Sequence, residues 1–285
     1  MQSETIELSN GKLSNNMIKK YKEDGFLFPI NIFNYKEALN LRTELEKIEQ
    51  KYSKIKLPKP LNDYKRGPAN AVIPLVADIA KDNRILDIVE CILGSNILVW
   101  AAEFFIKEKK TDNIVGMHQD LTYWGMGETS GQVTAWLALS DSNKNSGCME
   151  FVKGSHKNKI LPHNETYSKK SLLSRGQEVQ VRIPNNKKIS AELLPGQMSI
   201  HHGLMIHGSG PNISNDRRIG VAIRYINPDV VQNTKKSYAM PVRGIDKKGN
   251  FTHYFAPKTL FSEFNLKLHE EICENQHKVT STTKN

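Results

Sequence analysis

Between residues 97 and 226 the chain is written in short β-rich runs, and that pattern constrains its fold more than anything else in it. Residues 99–106, 132–139, 147–152, 189–194, 199–206 and 218–226 each concentrate branched and aromatic side chains. Turns rich in Gly, Asn, Ser and Pro separate them. Many short strands joined in this way point to an antiparallel sandwich or barrel.

The first hundred residues read differently. Residues 13–50 are largely helical, interrupted at 25–30 by a short strand ended by Pro29. Ala38, Leu39, Leu41, Leu45 and Ile48 recur at helical spacing across 35–52. Residues 53–70, rich in Lys and Pro, read as a loop, and a helical pair covers 74–94 up to Gly94. The expected fold class is α+β: a double-stranded β-helix, a cupin-like jelly roll, with N-terminal helices on its outside. A single domain over residues 1–276 is expected, with a polar, frayed tail at 277–285.

Composition narrows the function classes. No apolar run approaches the ~20 residues that span a bilayer, and the N-terminus lacks the basic start and apolar stretch of a signal peptide. A cytoplasmic protein without a membrane partner is the expectation. Cys91, Cys148 and Cys273 are widely spaced, without a CxxC pair, and read as reduced thiols. The net charge of +10 invites nucleic acid. Its lysines, however, are scattered without an aromatic-interleaved basic motif, so no nucleic-acid partner is expected.

The chemistry gathers around Gly116-Met117-His118-Gln119-Asp120-Leu121-Thr122-Tyr123-Trp124-Gly125. On an extended strand His118 and Asp120 share a face, one nitrogen and one oxygen donor at adjacent corners of a metal site. A third ligand must come from elsewhere. His201, His202 and His207 all lie in one downstream segment, and pleat parity groups His201 with His207 if the strand is unbroken. Spacing alone does not choose between them. Two histidines and a carboxylate would leave three coordination positions open, the arrangement of non-haem Fe(II) oxygenases. Further on, Arg218, Gly220, Ala222 and Arg224 share a strand face opposite Ile219, Val221 and Ile223. Two arginines with two very small residues between them suit a cavity that recognises a carboxylate.

Taken together, His118-Gln119-Asp120, the run His207-Gly208-Ser209-Gly210-Pro211-Asn212 and Arg218 eleven residues past His207 resemble the phytanoyl-CoA dioxygenase family of Fe(II)- and 2-oxoglutarate-dependent oxygenases. The resemblance runs over about residues 25–225. It implies that His118, Asp120 and His207 ligate iron, that Arg218 pairs with the distal carboxylate of 2-oxoglutarate, and that Ser209 hydrogen-bonds to it. Gln119 and Trp136 match family positions that touch the cosubstrate, and Glu103 falls on a strand lining the same cavity. The implied reaction consumes 2-oxoglutarate and O2 and hydroxylates a C–H bond. Halogenating relatives replace the carboxylate of His-x-Asp with a small residue; Asp120 argues against that chemistry.

The segment around His118 looks closest to small-molecule hydroxylases, including those acting on aminoalkylphosphonates. The substrate expected on this basis is small and polar or zwitterionic, such as 2-aminoethylphosphonate or its trimethylamino analogue. An acyl-CoA, a free amino acid and a betaine are the alternatives. Tyr123 and Trp124 could stack on its ammonium group or serve as packing. Glu103 could pair with an amine of the substrate or form a buried pair with Arg224 or a lysine. Arg224 and nearby lysines could receive a phosphonate or carboxylate. His156 reads as part of a turn, and the long polar loop 157–188, with His163, as a lid.

Overall fold

The computed structural model describes residues 5–282. The chain opens with α1 (Asn15–Asp24), β1 (Phe26–Asn31), α2 (Tyr35–Tyr52), α3 (Leu61–Lys65), α4 (Pro74–Ala80) and α5 (Asn83–Leu93). The strands follow as β2 (Ile97–Lys107), β3 (Val115–His118), β4 (Gln132–Ala138), β5 (Met149–Val152), β6 (His163–Glu165) and β7 (Gln177–Val179). Next come β8 (Lys188–Ala191), β9 (Gln197–His202), β10 (His207–Ser209), β11 (Arg218–Ile226), β12 (Tyr238–Arg243) and β13 (Thr252–His253), before α6 (Glu263–Thr282).

Two sheets form the core of an α+β jelly roll. The larger has the order β1-β9-β4-β11-β2-β12-β13 and the smaller β3-β10-β5-β8, while β6 and β7 form a separate hairpin. Pairing is antiparallel except between β12 and β13. The alternation along β11 divides the large sheet's two faces. Ile219, Val221 and Ile223 point outward with Val133, Ala135 and Leu137 of β4, and Ala102 and Phe104 of β2. Leu45 of α2, Val76 of α4, and Ile85 and Ile88 of α5 cover them. Each fully buried aliphatic side chain in this layer contributes about 1.5–3 kcal/mol. The opposite face turns toward the smaller sheet and carries the polar residues.

Local signals start the helices. Ser14 Oγ accepts from the Met17 amide at 3.4 Å. Asn34 and Glu37 form a reciprocal capping box at 2.9 and 2.7 Å. Among the described residues no helix is long and apolar enough to cross a membrane.

Four expectations are corrected. The segment 53–70 is not all loop: it holds α3 and a one-turn 3-10 helix at Ala69–Ala71, which packs into the core through Ala69 and Ala71. Leu39 faces solvent at 45% exposure, so the buried stripe of α2 is Ala38, Leu45 and Ile48. The run 199–206 is not one strand; β9 ends at His202 and β10 begins at His207. Finally, the stretch from His277 is helical as far as Thr282, because Ile272 and Val279 give α6 a buried side. Val279 packs where Gly125 has no side chain. Residues 283–285 lie outside those described.

Candidate active site

His118 ends β3 and His207 begins β10, and the two are register partners across that ladder. The strand stops at His118, and a one-turn 3-10 helix, Asp120–Thr122, carries the carboxylate back beside the imidazoles. One ligand atom each from His118, Asp120 and His207 lies within 4.8 Å of the others, and all three residues are buried. His118 Nε2 is 3.3 Å from Asp120 Oδ1. Each histidine uses its other nitrogen on the backbone: His118 Nδ1 meets Gly116 O and His207 Nδ1 meets Met205 O, both at 2.9 Å. A carbonyl accepting from Nδ1–H fixes the tautomer and leaves the Nε2 lone pair facing the centre.

The electrostatics suit a cation. Burial, then the neighbouring His118 and His201, hold the His207 pKa well below its ordinary value, so the ring stays neutral. Burial would raise the Asp120 pKa, but the adjoining imidazoles of His118 and His201 and the proximity of His207 carry it well below the usual carboxylate range. Neutral imidazole and ionised carboxylate are the forms that bind metal.

His201 reaches the same cavity from β9, although the break after His202 removes the parity argument for it. Its ring centroid is 4.6 Å from that of His207, and its Nε2 is 3.9 Å from Asp120 Oδ2. Both its ring nitrogens are buried without hydrogen-bond partners. His202 points elsewhere, with its ring 5.4 Å from His156. His156 itself contacts Lys22 O at 3.1 Å, tying its turn to α1.

Beside the triad the inner sheet face forms a pocket. β2 and β11 bring Lys107 opposite Arg218, Phe105 opposite Gly220 and Glu103 opposite Ala222, while β4 sets Trp136 opposite Ala222. Arg218 is 2% exposed. One nitrogen donates to Gly147 O at 2.7 Å, whereas Nε is buried without a partner. Its guanidinium lies 5.2 Å from the Trp136 ring centroid. Burial lowers its pKa to about 10, so it remains charged at neutral pH. A buried cation with unused donor capacity calls for an anion. Gly220 makes the Trp136 position available, since a Cβ there would lie 2.0 Å from Trp136 Cζ2. Ser209 also lines this pocket.

A wider cavity of about 510 Å³ opens outward from His118 and Asp120, lined by Arg66, Trp100, Glu103, Tyr123, Trp124 and Arg224 among others. Glu103 takes the second of its two expected roles. Its oxygens meet Arg224 Nη2 at 2.5 Å and Arg66 Nε at 2.7 Å, and the Gly67 amide at 3.1 Å. Burial would raise the Glu103 pKa; the two arginines bring it down to about 2. Trp124 packs 4.9 Å from Trp100 and lies under Arg224, 5.3 Å away, while Arg175 stands over Tyr123 at 5.1 Å. The aromatics therefore already carry protein cations.

Gln119 is placed otherwise than the resemblance implied. It faces away from both cavities: Nε2 donates to Leu204 O at 2.9 Å and Lys159 O at 3.3 Å, and Oε1 accepts from Leu161 N at 2.8 Å. Lying between two inward ligands, its side chain goes to the opposite side, where it braces the start of loop 157–188. That loop folds over the site: Leu173 lines both cavities, and His163 Nε2 accepts from the Gln119 amide at 3.1 Å.

This geometry has relatives. The profile described as phytanoyl-CoA dioxygenase (PhyH) matches residues 21–220. The chain belongs to the phytanoyl-CoA dioxygenase family. As a member it is an Fe(II)- and 2-oxoglutarate-dependent oxygenase, and its His-Asp-His cluster and buried arginine fit that pair of cofactors. The chain is 27% identical to the peroxisomal phytanoyl-CoA dioxygenase of Homo sapiens over 240 residues, covering 78% of this chain and 71% of the relative. It is 24% identical to the ectoine dioxygenase of Bordetella bronchiseptica over 246 residues, 79% of each. Among solved structures, the apo form of the non-haem monooxygenase ThoJ superposes with a TM-score of 0.84 at 29% identity, covering 94% of this chain and 98% of that one.

Sequence reasoning about this family member missed Arg66, Lys107 and the α6 residues His269 and Cys273, which line the outer cavity or the sheet face behind the site. Lys107 opens a Lys-Glu-Lys-Lys run that looks solvated, and α6 begins almost forty residues after the last motif. Strand parity was the available signal for Lys107: it alternates with Glu103 and Phe105.

Proposed function

We propose that this chain hydroxylates a C–H bond of a small anionic or zwitterionic substrate, with His118, Asp120 and His207 holding Fe(II). On this reading Arg218 and Ser209 receive the distal carboxylate of 2-oxoglutarate, with Trp136 as the wall beside it. The metal, when bound with 2-oxoglutarate and O2, supplies the oxidising power through decarboxylation of the keto acid to succinate. The chain supplies position and dryness. Arg218 Nε offers a buried, unused donor to the cosubstrate. Phe105, Trp136 and Leu173 wall the inner pocket against water.

The observation that carries the substrate class is the pairing of Glu103. One carboxylate serves two buried or half-buried arginines, which leaves one positive charge in excess where the outer cavity meets the triad. An anion is the complement to that charge, and a phosphonate or carboxylate would fit Arg224 and Arg66. Glu103 is then unavailable to a substrate amine, and Asp63, exposed on the cavity's rim, is the acid that would meet one. This keeps 2-aminoethylphosphonate and its trimethylamino analogue among the first candidates. Lys59, on the same cavity, is paired with Glu270 at 3.0 Å, which disfavours a mouth built for the phosphates of an acyl-CoA.

Succinate release by the Fe(II) enzyme across phosphonates, betaines, amino acids and acyl-CoAs tests the proposal. Turnover confined to small anions or zwitterions is expected. Turnover of an acyl-CoA with none of any small acid would overturn it.

A further inference from the structure

Lys107 is the most deeply buried lysine in the site region, with no measurable exposure, and the proposed mechanism does not use it. It stands directly across the β2–β11 ladder from Arg218. Its Nζ contacts only neutral acceptors: Ser209 Oγ at 2.7 Å, Ser209 O at 3.3 Å and Gly210 O. Its backbone carbonyl in turn accepts from Asn212 Nδ2 at 3.2 Å, and the same amide reaches Asp216 O at 2.9 Å. The end of β2, the turn after β10 and the start of β11 are thereby tied at one point.

The chemistry of a hydroxyl makes the contact to Ser209 Oγ informative. A serine hydroxyl has one hydrogen and two acceptor lone pairs. With Lys107 donating into Oγ, the hydroxyl's own hydrogen is free to point elsewhere. Ser209 Oγ–H has the pocket it shares with Arg218 before it. Without a donor at position 107 the hydroxyl would be free to rotate and bond to a nearby carbonyl.

We infer that Lys107 is a positioning residue for cosubstrate binding: it orients Ser209 so that hydroxyl and Arg218 together grip the distal carboxylate of 2-oxoglutarate. This rests on the assignment of that carboxylate to Arg218 and Ser209. It adds a residue that touches neither iron nor cosubstrate.

Calorimetric titration of the protein loaded with redox-silent Ni(II), using 2-oxoglutarate and pyruvate in parallel, tests it without turnover. Pyruvate keeps the chelating keto acid but lacks the distal carboxylate. Lys107→Met is expected to weaken 2-oxoglutarate about tenfold, the loss of one charge-assisted hydrogen bond, while pyruvate binding stays within about twofold. Ser209→Ala should produce the same loss, and the double variant should be no weaker than Ser209→Ala alone. Equal weakening of both ligands, or losses that multiply in the double variant, would show a merely structural lysine and overturn the inference. If Lys107→Met does not fold, Lys107→Gln is judged by the same criteria. Wild-type protein that binds metal but not 2-oxoglutarate would overturn the underlying assignment as well; tight binding by wild type and Lys107→Met alike overturns this inference alone.

Discussion

Asp120 sits between two imidazoles with its pKa held far down, and Glu103 sits between two guanidiniums with its own brought to about 2. The first arrangement predicts that Asp120→Ala abolishes metal binding and turnover, read by metal analysis of the purified variant. The second has a sign that pH can check. Glu103 titrates below its ordinary 4.5 when folded, so its contribution is full above that value and fades as pH falls toward 2. Glu103→Gln should cost about 3 kcal/mol at pH 7 by leaving two arginines without their counter-charge, and the gap between the two urea midpoints should narrow at pH 3. A gap unchanged with pH would count against the pair. The His-x-Asp pattern and the arginine face of β11 were legible from residue type and spacing. The two roles open to Glu103 were not separable in sequence, because its partner Arg66 lies 37 residues away. Gln119 was misplaced because a family match says which residue occurs, whereas strand alternation decides which way it points.

At the scale of elements, the break between β9 and β10 matters most. It separates His201 from His207 in strand phase, yet both rings reach one cavity because the chain turns between them. Sequence alternation could not show that turn, since residues 203–206 are mostly apolar and read as strand. The close approach of β4 to β11 is equally specific. Gly220→Ala would press a methyl group into the Trp136 ring and should lower stability by about 2 kcal/mol, seen as a fall in thermal midpoint together with weaker 2-oxoglutarate binding. At the surface, Asn34→Ala removes half of the α2 capping box and should cost about 1 kcal/mol without changing activity.

The whole molecule sets two sheets face to face, packs helices on the outer face of the larger one, and leaves a polar chamber between the sheets. The antiparallel core was legible because short strands and turn residues repeat along the chain. The α6 wall was not, because nothing in a polar amphipathic helix says which cavity it will close. The account depends most on His207, rather than His201, completing the metal site. Metal content and calorimetric 2-oxoglutarate binding should be measured on His207→Ala and His201→Ala prepared side by side. Loss of both in His207→Ala, with stoichiometric metal and measurable 2-oxoglutarate affinity kept in His201→Ala, is the predicted result. Metal retained by His207→Ala and lost by His201→Ala would contradict it.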